Sequence, residues 1–130
     1  MDKRKTVNSI IQQYNKKYMI ILLPNKSPTS LPKYGAIFVD KNKADNPTFF
    51  FLFTLLHEIG HCVTYKDNQR DITKEYLATQ WAIDNSNKWK IFLDQYEKEI
   101  WQEYVYSFTK AKNKSKYQLD WSPMKKAVWR

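Results

Sequence analysis

The chain's only two histidines stand four residues apart in His57-Glu58-Ile59-Gly60-His61, and the approach to them is almost wholly apolar: Phe49-Phe-Phe-Leu-Phe-Thr-Leu-Leu56. From Asn46 to about Tyr65 the sequence predicts a helix that is apolar on nearly every side, with Asn46 as its N-cap and Pro47 at its first position. Such a helix has to be buried at the centre of a fold, so the remaining segments must wrap it. Burying a His-Glu-His cluster there is costly unless a metal or hydrogen bonds satisfy it. A pair of hydrogen-bonded core histidines is the simpler alternative.

The spacing matches H-E-x-x-H. Imidazoles at i and i+4 lie on one helix face a turn apart, where both can ligate one zinc ion. The glutamate between them, Glu58, projects near the same face and can take a proton from water without being a ligand. Gly60 weakens the helix, which is tolerable where another backbone must come close.

Two histidines leave zinc short of a third protein donor. Cys62 follows His61 directly and points about 100° around the helix from it, so it reads as core filling. The third donor is then a carboxylate, and Asp67, Asp71 and Glu75 are the acids downstream. Asp67 and Asp71 suit a loop or a cap. Glu75 opens a further helix, from about Thr73 to Ile83 with Thr73 or Asp71 as cap, and a helix packed antiparallel could carry it to the metal. We therefore assign His57, His61 and Glu75 as ligands and Glu58 as catalytic base.

The rest of the chain supplies the wrapping. Val7, Ile10, Ile11 and Tyr14 have helical spacing over residues 4–17. Met19–Leu23 suits a buried strand, Pro24, Pro28 and Pro32 hold the chain irregular until Lys33, and Gly35–Asp40 is a second strand. Asp40 to Asn46 is a polar connection. Asn85-Ser86-Asn87 is expected to break the third helix, and a long amphipathic helix is expected over about 88–109. Its apolar stripe runs through Trp89, Phe92, Leu93, Tyr96, Ile100, Trp101, Tyr104, Val105 and Phe108. The expected class is α+β: a small zincin-like domain over residues 1–109, with a short β-sheet on a central HExxH helix and a mainly helical C-terminal half. Residues 110–130 read as a basic linker followed by a docked aromatic tail carrying Trp121, Met124, Val128 and Trp129.

Composition removes other classes. One cysteine cannot form an internal disulfide, and no run approaches the ~20 apolar residues of a membrane span. Without a signal-peptide pattern, a cytoplasmic protein is expected. The net charge of +9 suggests an anionic partner. However, residues 1–17 and 111–130 hold eleven of the cations and two of the acids, and the body between them is formally neutral. The excess reads as solvated ends or as a patch for nucleic acid or an acidic protein, secondary to the chemistry of the neutral body.

The strand Gly35–Asp40, the phrase Phe53-Thr-Leu-Leu-His57 leading into HEIGH, and the series Glu75, Ala78, Trp81, Ala82 together resemble the ImmA/IrrE metallopeptidases over about residues 7–85. The resemblance implies a zinc endopeptidase of bacterial phages and mobile elements. Its zinc would be held by His57, His61 and the helix Glu75, with Glu58 as general base. It also implies a protein substrate, a helix-turn-helix repressor supplied as a separate chain. Leu77 stands where such proteins often have a second acid. No third histidine is present to stabilise an oxyanion, so Tyr65, Tyr76 or a residue from the C-terminal region would serve.

Overall fold

The computed structural model describes residues 2–109 and 111–124. It is an α+β fold in which a three-stranded sheet and four helices surround one central helix. Helix α1 (Lys3–Tyr14) starts at Asp2, whose carboxylate accepts hydrogen bonds from the Arg4 and Lys5 amides, and it buries Val7 and Ile10. The sheet contains β1 (Met19–Leu23), β2 (Thr29–Leu31) and β3 (Ala36–Asp40). Strand β3 lies in the middle, parallel to β1 and antiparallel to β2. Its alternation is what a half-buried strand requires: Ile37 and Val39 are fully buried while Ala36, Phe38 and Asp40 are half-buried.

Helix α2 (Lys41–Asp45) leads into α3 (Phe49–Val63), the central helix. Phe53, Leu52, Leu55, Leu56 and Ile59 have no exposed surface, and each contributes about 1.5–3 kcal/mol of transfer free energy to folding. Helix α4 (Asp71–Ser86) packs along α3, and α5 (Gln95–Tyr106) closes the far side. Trp101 of α5 sits against Phe53 (ring centroids 5.0 Å apart) and stacks on Phe50 (5.6 Å).

The close fit of α3 on α4 depends on glycine. A Cβ at residue 60 would lie 2.6 Å from the Ala78 carbonyl oxygen, so the helices meet backbone to backbone at Gly60. Ala78 and Ala82, both fully buried, keep the facing side of α4 small.

The segment after α5 is docked rather than free. Ala111–Tyr117 coils into 3-10 turns where the composition suggests a linker. Two glutamine side chains then hold the main chain that follows. Gln102 donates to the Tyr117 carbonyl (3.1 Å) and accepts from the Leu119 amide (2.7 Å), and Gln80 pairs both ways with the main chain of Asp120 (2.9 Å each). Leu119 and Met124 are buried and Trp121 leans on Phe53. Lys110, Val128 and Trp129 lie outside the described residues.

Several sequence expectations are corrected. Strand β1 is an edge strand with Met19, Leu22 and Leu23 exposed, because β3 takes the buried middle position. Between Pro28 and Pro32 the chain still forms β2, since neither proline occupies a position that must donate to β3. The polar run after Asp40 contains α2, whose first turn is capped by the Asp40 carboxylate on the Asn42 amide. Helix α3 is capped by Thr48, whose hydroxyl accepts from the Phe51 amide, and not by Asn46. Helix α4 begins at Asp71 with no side-chain cap, so neither Thr73 nor Asp71 serves as one. It continues through Asn85 and Ser86, whose side chains bond back to the Trp81 and Ile83 carbonyls.

The expected helix over 88–109 does not begin until Gln95. Lys90 takes a left-handed conformation (φ 55°), which ends the turn Asn87–Trp89. Ile91 and Leu93 are buried with half-buried Phe92 between them, an extended pattern. Asp94 and Glu97 then form a capping box that starts α5.

Replacing Gly60 by alanine tests the helix contact. Alanine is the better helix former by about 1 kcal/mol. The added methyl meets backbone that no rotamer change can move, so we expect a net loss of about 1–3 kcal/mol, read as a lower urea midpoint. A midpoint at or above that of the unaltered chain would show that the helices do not touch there.

Candidate metal centre

On α3, His57 and His61 share the face that α4 covers, and Glu75 reaches them from the first turns of α4. The His57 and His61 Nε2 atoms are 3.1 Å apart. Glu75 Oε1 lies 3.1 Å from His61 Nε2 and 3.4 Å from His57 Nε2. Nitrogen and oxygen donors at about 2.0–2.2 Å from a tetrahedral ion are separated by about 3.3 Å, so these three atoms have the spacing of a metal-binding triad.

Hydrogen bonding sets the tautomer of His57. The Thr79 hydroxyl donates its one proton to the Glu75 carbonyl (2.7 Å), so it can only accept from His57 Nδ1, 3.0 Å away. Nδ1 therefore carries the proton, and the Nε2 lone pair points at the triad. A buried lone pair beside a second imidazole nitrogen and a carboxylate is costly without a cation or proton among them.

The two glutamates of the site differ in environment. Burial raises the Glu58 carboxyl above its ordinary range, and the imidazoles of His57 and His61, together with a bond from the Ser30 hydroxyl, only partly offset this. Burial also pushes Glu75 upward, but hydrogen bonds and charge from His57 and His61 outweigh it and hold that carboxyl well below the usual range. Glu58 Oε1 is 3.8 Å from His57 Nε2, beside the triad and outside it.

One residue of the site has no distinguishing mark in the sequence. Tyr104 of α5 donates from its hydroxyl to Glu75 Oε1 at 2.6 Å, and its ring stands edge-on to the His57 ring (5.8 Å). Burial and the Glu75 carboxylate raise this phenol, which keeps it a donor. In the sequence Tyr104 is one aromatic among many in an apolar stripe. Thr79 was legible: it lies four residues after Glu75, on the same helix face.

The other candidates lie apart from the triad. Asp67 accepts a short hydrogen bond from the Tyr65 hydroxyl, and Asp71 is exposed in the first turn of α4. Tyr76 packs its ring against Tyr117, while Tyr65 lines a pocket beside His61. Cys62 is buried, its thiol pushed up to about 11 by burial and by the Glu58 charge. Among the described residues no helix is long and apolar enough to cross a membrane.

No protein-family model, curated protein or solved structure matches this chain. The site therefore has to be read from its own geometry.

Thr79→Val removes the acceptor for His57 Nδ1 and preserves side-chain shape. We expect it to weaken zinc binding by about 10- to 100-fold in competition titrations, with Thr79→Ser close to the unaltered chain. Zinc at a hundred times its Kd should stabilise the unaltered chain by about 2.7 kcal/mol, and a chelator should reverse this. Equal zinc affinity in the valine variant would show that Thr79 does not orient His57.

Proposed function

We propose that the chain is a zinc-dependent endopeptidase in which His57, His61 and Glu75 hold the metal and Glu58 is the general base. The observation that carries this reading is Glu58 itself, a buried acid set beside three converging donors without being one of them. A purely structural zinc site takes four protein donors and needs no adjacent base. The described residues supply three.

When bound, zinc supplies a Lewis acid that polarises water and the scissile carbonyl. The chain's own groups do the rest. Glu58, whose carboxyl is raised by its burial, accepts a proton from the attacking water and returns it to the leaving amine. Thr79 holds the His57 tautomer and Tyr104 holds Glu75, so both ligating side chains are oriented before a metal arrives. Tyr104 also lines the pocket that contains Glu58, with its one hydroxyl proton engaged by Glu75.

The resemblance to ImmA/IrrE metallopeptidases agrees with this chemistry. On that resemblance we propose a helix-turn-helix repressor of a phage or mobile element as the substrate, cleaved in the cytoplasm. Nucleic acid is a secondary partner at most.

Glu58→Gln separates the base from the metal site. It should retain one zinc per chain by elemental analysis and lose at least about 1000-fold in cleavage of a candidate repressor, on the order of 4 kcal/mol in the barrier. Cleavage at an undiminished rate in the zinc-loaded variant would remove Glu58 from its role.

A further inference from the structure

Two depressions of similar size flank the metal centre, and their walls differ in chemistry. One, of about 450 Å³, opens beside His57 and Glu58 and is walled by Phe50, Ile100, Trp101 and Tyr104. Trp101 is fixed by ring contacts to Phe50, Phe53 and His57, so this wall is preformed. The other, of about 440 Å³, opens beside His61 and Glu75 and carries Lys33 and Lys74 on its rim with Gln69 and Tyr34. Neither lysine forms an ion pair with an acid among the described residues.

A single stretch of backbone borders both depressions. Pro28 lines the apolar one and Ser30 to Lys33 line the basic one, with α3 contributing to both. Both adjoin the triad, one at His57 and the other at His61 and Glu75. Ligand grooves of this kind bind through apolar walls and take their direction from a few charged groups.

We propose, resting on the peptidase reading above, that the two depressions form one substrate groove past the metal centre, and that it selects an extended peptide with a large apolar side chain on one side of the scissile bond and an acidic side chain on the other. The apolar residue enters the Phe50–Trp101 half and the acidic one meets Lys33 and Lys74. The apolar half carries one acid and one lysine, Glu58 and Lys43, while the other carries Glu75 with two lysines, so the excess of cations falls on the second half. A peptide of reversed polarity would leave Lys33 and Lys74 without a partner.

A positional set of acetylated, amidated octapeptides tests this on the full-length zinc-loaded chain. Peptides that pair Phe, Leu or Met with Glu or Asp across the bond should be cleaved about 10- to 100-fold faster than those with Ala at either place. The pair Lys33→Glu and Lys74→Glu, both on the rim, should shift the preference from acidic to basic side chains. Ile100→Trp, which narrows the other half at a partly exposed position, should shift the apolar preference from Phe toward Ala and Val. Zinc content and thermal midpoint are measured for each variant, so a folding defect is recognised separately. Cleavage without either preference, or a charge preference that the lysine variants leave unmoved, overturns the proposal and leaves the peptidase reading intact. Equilibrium binding by the Glu58→Gln chain, read by tryptophan fluorescence, separates the remaining outcomes. If no peptide is cleaved but the same ones bind selectively, the peptidase reading fails and the groove assignment stands. If none is cleaved and none binds, the groove assignment fails as well.

Discussion

Helices α3 and α4 touch backbone to backbone where Gly60 faces Ala78, and the position of the converging carboxylate follows from that contact. Glu75, Ala78, Thr79 and Ala82 share one face of α4, spaced at three and four residues. Seating Ala78 against Gly60 puts Glu75 opposite His61 and Thr79 opposite His57. A methyl group at residue 60 would hold the helices apart by more than the tolerance of a metal site, whose donors must lie within a few tenths of an ångström of their places. The small residues here serve the site and the core at once.

The polar cluster is tolerated inside an apolar core because most of its groups answer one another. Thr79 accepts a hydrogen bond from His57 Nδ1, and Glu75 accepts one from the Tyr104 hydroxyl. What remains is a set of lone pairs pointing at a common space. Glu58 and Glu75 are nearly equally buried, yet their carboxyls move in opposite directions, because only Glu75 is in direct contact with both imidazoles.

Much of the fold was legible where periodicity is strong. The helix expected over residues 4–17 corresponds to α1, which stops earlier at Tyr14, the strands expected at 19–23 and 35–40 to β1 and β3, and the apolar helix through His57 and His61 to α3. The misses share a cause. Strand β2 is too short to show alternation, and its pairing with β3 is a long-range choice. The C-terminal aromatic stripe was read as one helix because Trp89 and Phe92 continue its spacing by coincidence. In the fold, Lys90 turns left-handed and the residues after it pack as an extended strip. Lysine there gives no hint of that turn, which glycine would have marked. At the site, Thr79 could be deduced once Glu75 was placed, whereas Tyr104, from a helix 29 residues further on, could not.

The sequence by itself determined the chemistry available: two imidazoles one helical turn apart, an acid between them, and a helix too apolar to sit anywhere but the centre. These are local properties, set by a repeat of 3.6 residues that operates wherever the helix is placed. The tertiary structure brought the expected acid, Glu75, to the two imidazoles, and decided which hydroxyls orient the triad and which residues border the depressions beside it. Those outcomes depend on how closely α3, α4, α5 and β2 approach one another. That distance is set by side-chain volumes meeting across long stretches of chain, for which linear spacing carries no measure.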